Sequence, residues 1–176
     1  MKKLLGEERR DEILLLLKQS NEPITGADLS KIAGVSRQVI VGDITLLKAR
    51  NEPILATSQG YVYLEKTNTQ HSFERQIACK HGPENAKEEL YTLVDSGVLV
   101  KNVTVEHPVY GDLTASIQVA NRHEVDLFLK KVTETGASYL SELTGGVHLH
   151  LIAAPTNDAI TQAIHAMREK GFLAEE

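Results

Sequence analysis

The sequence carries one cysteine, Cys79, in 176 residues. No intrachain disulfide can form, which fits a chain kept in a reducing cytosol. Aromatic residues make up only 5% and leave most of the 41% hydrophobic fraction to aliphatic side chains. No apolar stretch approaches the ~20 residues needed to span a bilayer. The longest near the start is Ile13-Leu14-Leu15-Leu16-Leu17, and Glu7-Glu8 stand where a signal peptide would become apolar. The expectation is a cytoplasmic protein with no membrane partner. Internal repeats and low-complexity segments are also missing. Leu, Ile and Val recur almost end to end, which excludes a disordered chain. Positive charge is short as well: 19 Lys/Arg stand against 24 Asp/Glu, a net charge of -5. That balance argues against nucleic-acid binding by bulk charge.

The average conceals two halves. Residues 1–66 hold ten basic and nine acidic residues, and residues 67–176 hold nine and fifteen. At the division, Glu65-Lys66-Thr67-Asn68-Thr69-Gln70 is polar and aperiodic and reads as a linker. The expected layout is a domain over 1–66, a linker over 67–71 and a second domain over 72–176.

The first half reads as three helices and a hairpin. Glu8 to Ser20 places Ile13, Leu16 and Leu17 on one face. Thr25 with Asp28 resembles a capping box opening a short helix to Ala33. Gly34-Val35 turns the chain, and Ser36 is placed to cap a third helix from Arg37 to Arg50. Ile40, Ile44 and Leu47 share one face of it. Ile54 to Thr57 and Tyr61 to Leu64 then flank a turn. This is the order of a winged helix-turn-helix, in which the helix after the turn enters the major groove of double-stranded DNA. With Ile40, Ile44 and Leu47 inward, Gln38, Val41, Gly42 and Thr45 point outward. Ser36 and Arg37 sit at the helix amino terminus, which favours phosphate. Lys31, Arg50 and the wing residues Ser58, Gln59 and Tyr61 are candidates for backbone contacts. Gly42, in the exposed middle of the reading helix, costs ~1 kcal/mol relative to Ala. A single domain should therefore bind DNA modestly, and a dimer on paired half-sites is expected.

The second half reads β-α-β-β-α-β-α, an α+β two-layer sandwich on an antiparallel sheet. Strands are expected at Arg75–Cys79, Val98–Glu106, Leu113–Val119 and Val147–Ala153. Helices are expected from His81-Gly82-Pro83 to Asp95, from Arg122 to Thr135, and from a cap at Asn157 to Lys170.

The strongest chemical pattern is Gly145-Gly146-Val147-His148-Leu149-His150. Alternation along a strand puts His148 and His150 on one face. Two imidazoles so placed suit a divalent transition metal, although the pattern alone speaks more for a pair facing solvent. His81, at a strand-to-helix junction, is a candidate further ligand or a turn residue. On the following helix, Glu88 projects outward and Glu89 lies at the margin of the apolar face, about 90° from its centre. Glu89 is either a fourth donor or a solvated boundary carboxylate.

The chain resembles the niacin-responsive repressors that join a winged helix to a three-histidine domain. The resemblance rests on Gly34-Val35-Ser36-Arg37-Gln38-Val39-Ile40, Gly60-Tyr61, Lys80-His81-Gly82 and His107-Pro108-Val109-Tyr110-Gly111, and also on Asn121-Arg122 and Leu143-Thr144-Gly145-Gly146-Val147-His148-Leu149-His150. It implies a fold similar to the phosphocarrier protein of the sugar phosphotransferase system. It also implies one divalent metal held by His81, Glu89, His148 and His150. The ion would be nickel, zinc or iron, since such donors accept several borderline cations. The implied activity is repression of genes for NAD precursors in response to nicotinic acid, by a homodimer on an operator. Tyr110, Arg122 and Thr144 are candidate contacts to that effector. Arg122 could instead form a salt bridge near its helix start, and His107 is assigned a structural role or one supporting the ligands from behind. His71, His123 and His165 receive no role. Two other readings compete: a metal-dependent hydrolase of pyridine amides, and a repressor whose effector is the metal itself. No oriented general base is evident for the hydrolase, so the chain is not expected to be an enzyme.

Overall fold

Two hydroxyl caps and a left-handed glycine set the geometry of the first half. The Thr25 hydroxyl accepts from the Asp28 N–H at 3.1 Å and opens helix α2, Gly26–Ala33. Gly34 ends that helix at φ 63°, a conformation that costs glycine no steric penalty. Ser36 then caps helix α3, Arg37–Ala49, by accepting from the Val39 N–H. The computed structural model describes residues 5–64 and 73–175, and the chain divides into two compact units, Met1–Thr67 and Asn68–Glu176.

In the first unit, α1 (Gly6–Gln19), α2 and α3 pack around Ile13, Leu17, Leu29, Ile40, Ile44 and Leu47, all nearly inaccessible. A hairpin follows, β1 (Ile54–Thr57) paired antiparallel with β2 (Gly60–Tyr63). Tyr61 exchanges backbone hydrogen bonds with Ile24 at 2.8 and 3.0 Å, which ties the wing to the start of α2. A side chain at position 60 would overlap the Ile24 carbonyl, so only glycine permits that approach.

The second unit is a four-stranded antiparallel sheet in the order β3-β6-β4-β5. Its strands are β3 (Phe73–Lys80), β4 (Leu99–His107), β5 (Gly111–Val119) and β6 (Val147–Ala154). Helices α4 (Ala86–Asp95), α5 (Arg122–Thr135) and α6 (Asn157–Glu169) pack with it around Leu93, Val100, Val119, Val125, Ile152 and Met167. The opposite face keeps Gln76, Ala78 and Lys80 exposed. This is the expected β-α-β-β-α-β-α order.

Some boundaries differ from the sequence reading. β3 begins two residues earlier than Arg75, since the antiparallel register with β6 continues to Phe73↔Ala154. Pro83–Asn85 forms a 3-10 turn before α4. The cap of α6 is Thr156, not Asn157: its hydroxyl accepts from the Ala159 N–H at 3.3 Å. A second 3-10 turn, Leu140–Thr144, was not expected; there the Glu142 carboxylate accepts from the Tyr139 N–H at 2.6 Å. The proposed linker 67–71 and His71 lie outside the described residues.

Candidate functional site

Strand alternation places His148 and His150 on the buried face of β6, each 3% exposed, beside Ile152 at 0%. They are therefore not a pair facing solvent. His81 follows β3 directly and is drawn against β6, its N–H donating to the Gly146 carbonyl at 3.3 Å. Gly146 has φ 94°, and a β-carbon there would overlap the His81 carbonyl. Glu89 on α4 points into this face and is 3% exposed, more deeply buried than its place at the margin of the apolar stripe predicts. Three imidazoles converge on the carboxylate there, a place where positive charge on the rings or on a bound cation can offset its burial.

Each imidazole is oriented through its other nitrogen. Nδ1 of His81 lies 2.9 Å from the Gly82 carbonyl, that of His148 2.9 Å from the Gly146 carbonyl, and that of His150 2.7 Å from the Asn102 carbonyl. A carbonyl only accepts, so each Nδ1 carries the hydrogen and a neutral ring presents its lone pair at Nε2. All three Nε2 atoms face Glu89: His81 at 2.9 Å from Oε2, His148 at 2.9 Å and His150 at 3.3 Å from Oε1. A carboxylate is also acceptor-only, so the cluster needs positive charge among its four donors. Burial by itself would raise the Glu89 carboxyl, but His150 and the hydrogen bond with His148, with His81 close by, hold it well below the usual carboxylate range. Burial opposes charge on His150 and His81, yet the Glu89 carboxylate raises both above the ordinary imidazole value.

The donor set suits a borderline divalent cation. His81 Nε2 is buried and, although close to Glu89, is not aligned for a hydrogen bond, a polar atom without a partner. Adjacent donors on an ion with bonds of about 2.1 Å stand roughly 3.0–3.4 Å apart. The Nε2-to-carboxylate separations of 2.9 to 3.3 Å are of that order. Cys79, opposite His148 in the β3–β6 register and 0% exposed, joins Glu89 and His148, their ligand atoms all within 4.8 Å of one another. Burial, and then Glu89, push its thiol pKa up strongly. Sequence reasoning used this cysteine only to judge the redox compartment. Its position two residues before His81, on the same strand face as its partner His148, was the available signal.

The histidines and Glu89 form one end of a cavity of about 240 Å³. Its walls are otherwise largely apolar: Ala86, Leu90, Val103, Ala115, Ile117, Phe128, Val132 and Leu140, with Ser138, Tyr139 and Ser141 at the 3-10 turn. Among the described residues lining it none is lysine or arginine. Phe128 and Val132 reach it from α5. Tyr110, Arg122 and Thr144 do not line this cavity. Tyr110 is 75% exposed in the β4–β5 turn, its ring 5.1 Å from that of His107, whose Nδ1 accepts two turn N–H groups. Arg122 forms a two-pronged ion pair with Asp95 and lies over the Tyr91 ring at 4.4 Å, the salt-bridge alternative. Thr144 donates to the Ser141 and Val147 carbonyls and lines a second groove with Thr104, Pro108 and Val147, which His148 also lines.

In the first unit, Ser36, Arg37, Gln38, Val41, Gly42 and Thr45 are exposed along α3, opposite buried Ile40, Ile44 and Leu47. Lys31 is exposed, 4.0 Å from Asp28, and Gln59 is half-buried in the hairpin turn. Tyr61 packs against the core, and its ring and the Arg37 side chain both come up against Gly26. Arg50 is held by Glu7 at 2.6 Å. The sequence reading missed Asp43, which is 3% exposed on α3 and accepts from Arg9 at 2.6 Å and Arg10 at 3.3 Å.

A three-helix unit with a wing, followed by a sheet domain enclosing clustered histidines, defines a DNA-binding regulator with a second domain built around a buried polar site. Residues 9–62 match the family model of an HTH domain and residues 74–176 that of the 3H domain. The chain is 58% identical over 175 residues to "Transcription repressor NadR" of Bacillus subtilis (strain 168), covering 99% of this chain and 97% of that one. It is 40% identical over 174 residues to "Probable transcription repressor NiaR" of Thermotoga maritima, covering 99% and 98%. The chain belongs to the NadR/NiaR family of NAD-related transcription repressors. It is a DNA-binding repressor and not an enzyme. No helix among the described residues is long and apolar enough to cross a membrane.

Proposed function

We propose that the protein represses genes of NAD-precursor uptake or synthesis when nicotinic acid occupies the cavity beside a metal ion held by His81, Glu89, His148 and His150. One observation carries this reading. Three imidazoles present Nε2 lone pairs to one buried carboxylate, in a largely apolar cavity with no lysine or arginine in its described lining. A divalent cation supplies the charge that this arrangement needs, and acts there as a Lewis acid. A planar pyridine ring suits the apolar walls, and the volume lies below the roughly 300–1,000 Å³ of drug-sized sites. A carboxylate entering the cavity finds its charge met only at the histidine end. That end should therefore select nicotinate over uncharged nicotinamide.

The chain acts in the cytoplasm as a homodimer, with each α3 in the major groove of one half-site. Gln38, Val41 and Thr45 face the base edges. Ser36, Arg37, Lys31 and Gln59 face the phosphates, and Arg50 reaches them by exchanging its ion pair with Glu7. Tyr61 acts by holding the wing and Arg37 in place. Effector binding alters DNA affinity only by its difference in affinity between the two states of the dimer. A gel-shift titration on the promoter regions of NAD-precursor genes tests this reading. Binding should tighten with nicotinate in the presence of metal, remain weak with metal alone, and be unaffected by nicotinamide. Equal binding with and without nicotinate would overturn it.

A further inference from the structure

We infer that Cys79 is a fifth metal donor, bringing a thiolate to the ion that His81, Glu89, His148 and His150 would hold. The inference rests on the metal reading above and adds to it a soft ligand.

Two observations carry it. First, Cys79 lies on β3 directly opposite His148, and its sulfur, a Glu89 oxygen and a His148 nitrogen are all within 4.8 Å of one another. A buried cysteine that serves only as a small hydrophobe has no need of a carboxylate and an imidazole at that range. Second, His81 Nε2 is aimed into the same cluster, its side chain 5% exposed and its ring nitrogen lacking a hydrogen-bond partner. The polar atoms on this side of the sheet are arranged for something that they share.

The placement of the sulfur has a chemical consequence. Cys79 does not line the cavity, whereas His81, Glu89, His148 and His150 do. A sulfur donor outside the cavity lining takes none of the space open to a small ligand. On coordination the S–H bond is replaced by a sulfur–metal bond and one proton is released to solvent, as happens when a thiol meets a metal ion. A thiolate favours zinc, cobalt or nickel over manganese, which prefers oxygen donors.

Because the chain holds one cysteine, any thiolate-to-metal signal belongs to Cys79. The experiment is optical titration of the full-length metal-free protein with Co²⁺ at neutral pH, on wild type, Cys79→Ser and Cys79→Ala. The expected result is visible d–d absorption in all three, with an intense near-ultraviolet sulfur-to-cobalt charge-transfer band in wild type alone. Zinc affinity should fall about tenfold or more in both variants, and manganese affinity should change little. Visible cobalt bands without the charge-transfer band in wild type would overturn the inference while leaving the four-residue site standing. So would a loss of affinity in Cys79→Ala that serine restores, since serine would then be replacing a hydrogen bond to Glu89. Absence of cobalt binding in wild type would overturn the four-residue reading as well.

Discussion

The carbonyl of His81 occupies the space that a β-carbon on Gly146 would require, and the Gly146 carbonyl in turn receives the His81 N–H and the His148 Nδ1–H. One glycine therefore sets the distance between two of the three clustered histidines. Gly145 also has a positive φ, 60°, but a β-carbon there meets nothing within 4 Å. Gly146→Ala should lower metal affinity by tenfold or more, whereas Gly145→Ala should cost only ~1 kcal/mol of stability and leave the site intact. Calorimetric metal titration with thermal melts of both variants checks the contrast. Equal metal affinity in the two would remove the role given to Gly146.

Glu89→Gln replaces an acceptor-only carboxylate by an amide that can donate to the converging Nε2 lone pairs. The metal-free variant should fold and melt within a few degrees of wild type, while its affinity for zinc falls about a hundredfold. The remaining affinity should rise with pH. Imidazole protons compete with the ion, so binding strengthens as they leave, and without the carboxylate burial alone holds His81 and His150 low. In wild type the neighbouring carboxylate raises His81 and His150. Its affinity should therefore climb at a higher pH than that of Glu89→Gln. Metal titrations at several pH values read both effects, and a variant that binds zinc like wild type would refute the donor role of Glu89.

Much of this was legible in the sequence because it follows from periodicity. Ile40, Ile44 and Leu47 recur at helical spacing and are buried, and the alternation at His148 and His150 put both on one strand face. The burial of Glu89 was only partly legible, because a helical wheel centred on apolar residues puts it at the boundary and leaves it either a donor or a solvated carboxylate. Only partners brought from β3 and β6 make its burial affordable. Asp43 was missed for the same reason: its partners Arg9 and Arg10 lie on another helix. The cavity is walled in part by Leu140 and Ser141 of the 3-10 turn Leu140–Thr144, which no repeat pattern announces. Tyr110 and Arg122 were chosen from the resemblance, but a surface turn and a surface ion pair hold them.

Gly42 sits in the exposed middle of α3, and a β-carbon there meets nothing within 4 Å. Gly42→Ala should stabilise the protein by about 1 kcal/mol, read by denaturant unfolding. If the bare backbone is needed for close approach to a base edge, operator affinity falls even as stability rises. An unchanged Tm and midpoint would mean that the helix gains nothing there.

The cavity beside the histidines is reached by Val132 on α5. Val132→Trp should fill it, abolishing nicotinate binding while leaving metal content unchanged, since Val132 is not among the four donors. Elemental analysis and equilibrium dialysis on one preparation separate the two. Retained nicotinate binding would place the effector elsewhere.

The most direct test of the account is a calorimetric titration of nicotinate into the protein as purified, after stripping with a chelator, and after metal is restored. The account predicts binding at one site per chain with metal, none after stripping, and recovery on reloading. Nicotinate binding of equal strength in the stripped protein would contradict it.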